Sequence, residues 1–444
     1  MTAVIAVLHA EDVALEFVSV LRRHADQDVV VVIGQRGERV LLPGGLSLRE
    51  RLELLAPFVR AGGNTEALPG PERVAAWLGG SPAEIWTHSP ADHRIRRARF
   101  GWTVSRAVAT VAVTYSVGDN LFLQTVPGEA VALTGAEAEA KTDFINRHAG
   151  ELLRSRVPDR LVTTDRVPVV ERFFTADAAR ANRLYALISS LGADAAVAED
   201  PWEFGRSAYE ADRLDATAAW VARRISPGDG PIVEVGACEG ELTRRLADKG
   251  YALQATEPNA AFRARLAGQA RPAPVAPETG NGAETGNETG NETGNGNGAE
   301  IGDRVGSGVG SGAAGSGTAP LTSPGVEICS DSLEELAAHR ARPAAAYLLI
   351  EMLYYDQDLT LLDALPTDLI LLALETGRLN DLVWPWLREQ STWHVAERVE
   401  LAPPTLEFVC DGLAYLRKRG SRGLVLTRNS TWGENAAPTV NGDM

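Results

Sequence analysis

Cysteine is scarce in this sequence of 444 residues: only Cys238, Cys329 and Cys410, with no paired spacing. That argues against a disulfide framework and a thiolate zinc site, and it suits a reducing cytoplasm. Long apolar runs are also missing. No stretch approaches the ~20 consecutive apolar residues that span a bilayer, so no membrane partner is expected. The opening run Ala3 to Leu8 has no basic leader and is broken at once by His9, Glu11 and Asp12. It reads as a buried first strand rather than a secretion signal. Positive charge is in deficit as well, with 43 basic against 59 acidic residues and a formal charge of −16. Such a balance disfavours a polyphosphate backbone, and no nucleic-acid partner is expected.

A hydrophobic fraction of 45% is that of a globular protein, and the length suggests two domains. Apolar strands alternate with helical stretches from the start: Val4 to Leu8, a helix over Val13 to Arg23, Val29 to Ile33, later Glu84 to Thr87, and a closing helix from Gly135 to Leu153. A second series has strands at Ile232 to Val235, Tyr251 to Thr256, Tyr347 to Ile350, Leu369 to Ala373 and Gly423 to Thr427. The rhythm predicts an α/β chain of two tandem doubly wound, Rossmann-like domains with mostly parallel sheets. The expected divisions are a first domain over 1–160, a helical connector over 161–199, and a second domain over 200–430 with a loose tail at 431–444. Within the second domain, Pro272 to Pro320 is built of ETGN repeats and a Gly/Ser run. With almost no large apolar residue, it is expected to be a flexible insertion.

The chemistry of the second domain begins at Glu234-Val-Gly236-Ala-Cys238-Glu-Gly240, where a buried strand runs into a tight turn and a helix. Small residues there let the backbone approach a ligand. The next strand ends in Glu257, a carboxylate able to accept from both hydroxyls of a ribose. A dinucleotide site would have G-x-G-x-x-G, and an acid on the strand would repel a pyrophosphate. That acid suits the cationic amino-acid end of S-adenosylmethionine. The turn resembles motif I of class I methyltransferases, E/D-x-G-x-G-x-G, with Cys238 at the middle glycine.

Two further stretches narrow the resemblance. Asp200-Pro-Trp202-Glu-Phe204-Gly-Arg-Ser207-Ala-Tyr209-Glu210 is similar to the D-P-W-x-F-x-x-S-x-Y-E element of NodS-like N-methyltransferases, which act on the free amine of a chitooligosaccharide. Glu351-Met-Leu-Tyr354-Tyr355 is similar to their E-x-L-Y-Y segment. The resemblance implies that Trp202 and Tyr209 line the cofactor and acceptor cleft, although aromatics at such spacing also serve as core. Asp331, just after a strand, stands where an acid meets the adenine amine or caps a helix. Methyl transfer from a sulfonium is an in-line displacement that asks for positioning and removal of one amine proton. Glu351 or Tyr354 is the candidate for that proton.

In the first domain His9-Ala-Glu11-Asp12 follows the first strand, and His93 lies in Trp86-Thr-His88-Ser-Pro-Ala-Asp92-His93-Arg94 after another. Imidazole and carboxylate from two strand ends can make a three-ligand zinc site, while polar strand-end residues also cap helices. These segments resemble the H-P-D-D-E and H-P-D-H-R elements of LmbE-like, PIG-L-type N-acetylglucosamine deacetylases, and the helix bearing Lys141 is similar to their closing helix. The resemblance implies Zn2+ on His9, Asp12 and His93, with Glu11 at the place of the general base. Ala10 replaces the proline, Glu11 is longer by a methylene than the usual aspartate, and Val13 stands at the final acid. Together the halves suggest a bifunctional enzyme that deacetylates an amino sugar and N-methylates it. The alternative is a small-molecule methyltransferase with a non-catalytic first domain for substrate binding or scaffolding.

Overall fold

The computed structural model describes residues 3–59, 67–79, 82–108, 111–118, 122–150, 167–190, 195–269, 325–338, 343–354 and 357–429. The insertion expected at 272–320, the tail at 431–444 and Tyr355 lie outside the described residues.

The most apolar pentapeptides form the centre of the first sheet. Strands β1 (Ala3–Val7) and β2 (Val29–Ile33) read AVIAV and VVVVI, the continuous runs of strands covered on both faces. They pair in parallel with each other, and β1 also pairs in parallel with β4 (Glu84–Thr87), which pairs in parallel with β5 (Val113–Ser116). The edges are antiparallel: β3 (Glu38–Leu42) on one side, and β8 (Val170–Ala176) followed by β7 (Glu129–Ala132) on the other. The order β3-β2-β1-β4-β5-β8-β7 reverses its winding between β1 and β4.

The second sheet repeats the plan with the order β11-β10-β9-β12-β13-β17-β14. Its parallel part comprises β9 (Ile232–Val235), β10 (Leu253–Thr256), β11 (Val326–Cys329), β12 (Ala346–Ile350) and β13 (Leu369–Leu374). Strands β17 (Ser421–Arg428) and β14 (Trp393–Ala402) close it in antiparallel fashion. Here the winding reverses between β9 and β12. The α/β class with parallel-rich sheets therefore stands.

Two features depart from the expectation. The stretch read as a helical connector contains β8, which inserts into the first sheet, and the helix Ala178–Ser189 (here α7) packs on α5 (Ile95–Ala107), with Tyr185 stacked on Trp102 at 4.4 Å. The pattern Val-Glu-Arg-Phe-Phe-Thr-Ala is aromatic and β-branched, a strand composition masked by its charged neighbours. The second departure is a third sheet, β15-β16-β6, in which the hairpin β15 (Thr405–Val409) and β16 (Ala414–Lys418) pairs with β6 (Leu123–Thr125). Val409, Cys410 and Ala414 of that hairpin are buried in the same core as Val4, Ala6 and Phe100. The halves are therefore joined by shared core as well as by chain. Among the described residues no helix is long and apolar enough to cross a membrane.

Buried cations anchor the first half. Arg51, 1% exposed, gives Nε to the Pro43 carbonyl, Nη1 to those of Leu21 and His24, and Nη2 to those of Ala25 and Gln27. It satisfies the carbonyls that end the helix Val18–Arg23 (here α2), where a cation is also favoured by the dipole. At the other end of α2, Glu171 of β8 accepts from the backbone of Val18 and Ser19 and pairs with Lys141 at 3.0 Å. Replacing Arg51→Met should destabilise the first half by about 3–5 kcal/mol, since buried carbonyls lose their donor. Denaturant unfolding followed by tryptophan fluorescence reads this, and an unchanged midpoint would refute the anchoring role.

Candidate functional site

In a doubly wound sheet, ligands bind beyond the carboxyl ends of the strands where the winding reverses. Two such places exist here, and their contents differ.

At the second reversal β9 is followed directly by Gly236, φ +70°, where a Cβ would stand 3.2 Å from Met352 Cβ just beyond β12. Gly240, φ +90°, would drive a Cβ to 2.5 Å from Leu266 Cδ1. Both positions therefore favour glycine, through their positive φ and the crowding a side chain would meet, which keeps the turn tight against its neighbours. Cys238 between them is also left-handed, φ +53°, a conformation costing a non-glycine residue about 1–2 kcal/mol. That is why glycine suits the position. Burial pushes its thiol far up, so it is no nucleophile at neutral pH.

The turn is tied to the next strand. Glu257, at the end of β10 and 7% exposed, accepts the Cys238 N–H on Oε2 at 2.9 Å and the Asn259 N–H on Oε1 at 2.8 Å. Glu234, on β9, accepts the Thr243 hydroxyl at 2.6 Å, and its burial without a cation raises its carboxyl to about 7. Asp331 stands half-buried two residues beyond β11. Trp202 lies 4.9 Å from the Phe262 ring on the helix Ala260–Gln269, whose Arg265 pairs with Glu239 of the turn at 2.5 Å and holds the Ala196 and Ala198 carbonyls. The D-P-W segment thus lies against the helix that backs the glycine turn.

Tyr209 sits elsewhere, beside the hairpin. Its ring lies 5.5 Å from Lys418 Nζ, and burial with Glu210 close by raises its phenol to about 12. Next to it is a partly buried cluster between the end of β12 and the helix Ala208–Arg224. Tyr354 donates to Glu351 Oε2 at 2.5 Å, while Glu351 Oε1 has no hydrogen-bond partner among the described residues and lies 4.0 Å from Arg213 Nη1. Arg213 itself donates to Glu210 at 2.8 Å. Burial pushes the Glu351 carboxyl up against the pull of Arg213, and it pushes the Tyr354 phenol far beyond neutral pH. Glu351 is moreover left-handed at φ +53°. Strain of this kind collects at functional sites. Trp202 and Tyr209, grouped together from the sequence, pack against different elements, Trp202 on Phe262 and Tyr209 beside Lys418.

At the first reversal the strand-end charges neutralise one another. Asp12, fully buried, takes Arg97 on Oδ1 through Nε at 3.0 Å and Nη2 at 2.7 Å, and takes the His9 N–H on Oδ2 at 3.0 Å. Asp92 is forked by Arg94, whose Nη2 also reaches Glu16 Oε1 at 2.5 Å. His88, 0% exposed, bridges Asp12 Oδ2 and Glu16 Oε2, each at 3.1 Å. Glu16 Oε2 accepts the Ser116 hydroxyl too.

The expected zinc ligands do not assemble. Among the described residues the only group whose ligand atoms all lie within 4.8 Å of one another is Glu16, His88 and Asp92, not His9, Asp12 and His93. Even that group does not fit a cation, because Arg94 already engages both of its carboxylates and His88 lies between acids. Zinc needs free carboxylate lone pairs and a neutral imidazole, and Arg94 and Arg97 would repel it. No role is assigned to His88 from the sequence. Its signal was position: it follows β4 directly, as His9 nearly follows β1. Glu11 is 3% exposed on the short helix Glu11–Glu16.

No family model and no curated protein matches this chain. Solved structures resemble it over about half its length. The magnesium protoporphyrin IX methyltransferase of Synechocystis PCC 6803, with bound SAM, is 10% identical and matches 56% of this chain and 97% of its own, with a TM-score of 0.32. A glycopeptide N-methyltransferase, MtfA, complexed with S-adenosyl-L-methionine is 11% identical over 48% of this chain and 92% of its own, with a TM-score of 0.28. The 16S rRNA methylase RmtB is 9% identical over 56% and 74%, with a TM-score of 0.29.

The acids around His88 hold its imidazole protonated, raising it from 6.5 to about 9 against the opposing effect of burial. The Leu8 N–H, 3.0 Å from Nε2, would favour the neutral ring, but the carboxylates on both nitrogens outweigh it. Because the folded value lies above the unfolded one, this stabilisation is complete below about pH 6.5 and lost as pH rises through about 9. Stability measured by urea titration should fall by roughly 3 kcal/mol across that window. The H88Q chain should lack the slope, and an equal slope in both would remove the assignment.

Proposed function

We propose that the chain is a class I S-adenosylmethionine-dependent methyltransferase that methylates the free amine of a small, amino-sugar-like acceptor. The carrying observation is the strained turn Gly236 to Gly240, locked to Glu257 beside the winding reversal of the second sheet. Gly236 and Gly240 hold left-handed backbone that L side chains rarely adopt, and acids stand on two adjacent strands, which suits a ligand with a cationic amino-acid end and a ribose. Glu257 retains lone pairs for the ribose hydroxyls after accepting from Cys238 and Asn259. Glu234 offers a carboxylate toward the cationic end, Asp331 one toward the adenine amine, and Trp202 an apolar wall. When bound, the cofactor supplies an electrophilic methyl group.

The protein's own part is to hold the acceptor and take a proton. Glu351 supports the role of base better than Tyr354, because the phenol donates to the carboxylate and is pushed far up. A carboxylate lifted by burial is suited to accept an amine proton near neutrality. Tyr209 and Tyr354 offer faces against which a sugar ring packs. The net charge of −16 favours an amine over a polyanion.

For the first half, the reading best supported is a non-catalytic module rather than a zinc deacetylase, since Arg94 and Arg97 occupy the acids that zinc would need. The bifunctional reading, with Glu11 as general base, predicts stoichiometric zinc and release of acetate from an N-acetylated amino sugar. Metal analysis and an acetate assay on the purified chain distinguish the two.

S-adenosylhomocysteine should raise the melting temperature and NAD should not, as binding to the native state requires. With an amino-sugar acceptor, E351Q should lower kcat by about 100-fold or more. Wild-type kcat should fall as pH drops and Glu351 takes up its proton, while the residual activity of E351Q stays flat. A chain stabilised by NAD instead, or an E351Q of full activity, would overturn the cofactor or the base respectively.

A further inference from the structure

We infer that Arg183, on a helix of the first half, is a positioning residue for cofactor binding by the second. The inference rests on the cofactor reading above and identifies what holds that site in shape.

The segment Asp200 to Ser207 is an uncommon piece of backbone. Asp200 and Glu203 are both left-handed, at φ +47° and +59°, and neither is glycine. Local bonds fold it: the Glu203 N–H donates to the Asp200 carbonyl at 3.1 Å, and the Glu203 carbonyl accepts from Arg206 and Ser207 at 3.0 and 2.8 Å. Two such residues in four persist only where surroundings fix them. The Glu203 side chain, with the residue 1% exposed, points away from water into a fork. Arg183 gives Nε to Oε1 at 2.6 Å and Nη2 to Oε2 at 3.0 Å. Such a bidentate pair sets orientation as well as charge.

Arg183 is itself immobilised. Its helix α7 buries Ala181, Leu184 and Leu187 in the core that covers the first sheet. The loop's other side presses on the cofactor turn through Trp202 and Phe262. The helix bearing Phe262 is the one whose Leu266 abuts Gly240 and whose Arg265 grips Glu239. A continuous series of contacts therefore runs from the first core through Arg183, Glu203 and Trp202 to the Gly236–Gly240 turn. Without the guanidinium, a buried carboxylate loses its partner and the strained loop loses its restraint.

The test uses the full chain. In isothermal titration, R183A should weaken S-adenosylhomocysteine binding about tenfold, the size expected for loss of a charge-assisted fork. R183K keeps the charge without the fork and should fall between R183A and wild type. The KM for the cofactor should rise in step while kcat at saturating cofactor stays within about twofold of wild type. R180A, on the same helix and paired with the exposed Asp411, should bind as wild type does. Should R183A fail to fold, R183K and E203Q carry the test, each expected to weaken binding.

Variants that bind like wild type overturn the positioning role alone, as does a drop in kcat with unchanged affinity. A wild-type chain that binds no cofactor overturns this inference and the proposed function together. Weakened binding in both R183A and R180A assigns the effect to general loosening between the halves and also overturns it.

Discussion

A parallel sheet whose winding reverses leaves a crevice at the carboxyl ends of two neighbouring strands, and that constraint organises all the chemistry in this chain. Helices leave the sheet on opposite faces there, so strand-end side chains meet with no backbone to cover them. The same crevice occurs twice. In the first sheet it is filled by its own ions, with Asp12, Glu16 and Asp92 set against His88, Arg94 and Arg97. In the second it is shaped by glycines and lined by Glu234, Glu257 and Glu351, acids that have few cations of their own. One crevice is complete in itself, while the other has capacity left for a ligand.

The difference can be traced to a handful of residues. Arg94 and Arg97 sit at and just after the start of α5, one helical turn apart; Arg94 engages Asp92 and Glu16, and Arg97 engages Asp12. A buried carboxylate with a guanidinium on it is satisfied and chemically quiet. Glu351, by contrast, has Arg213 at 4.0 Å, already committed to Glu210. Burial without full pairing raises that carboxyl above its ordinary range, and carboxyls perturbed in this way gather at functional sites.

Much of this was legible in the sequence, and what was not has physical reasons. The apolar runs VVVVI and LILLAL announced central strands, and the Glu234 to Gly240 turn with Glu257 announced a crevice, because each signal is local. The third sheet gave none. Strand β6 is only three residues long, and its partner is set by tertiary packing alone. Strand β8 hid among charges, since an antiparallel strand near the edge needs only one apolar face. The zinc set expected from the sequence is not the one the fold groups among the described residues: the expectation named His93, yet the imidazole buried among the acids is His88. Sequence spacing cannot say which of two nearby histidines turns inward.

The hairpin that bridges the halves bears on how the chain acquires its shape. Tyr415 of β16 bonds Gln124 of β6 across 291 positions of sequence, and Val409 and Ala414 complete a core begun by the first strand. Contacts so remote close large loops and form late. On a ribosome the first half would emerge with part of its core uncovered, until the last strands arrived. Maturation of the second half is then tied to completion of its predecessor, and a chain truncated before β15 would expose apolar surface of the kind chaperones engage.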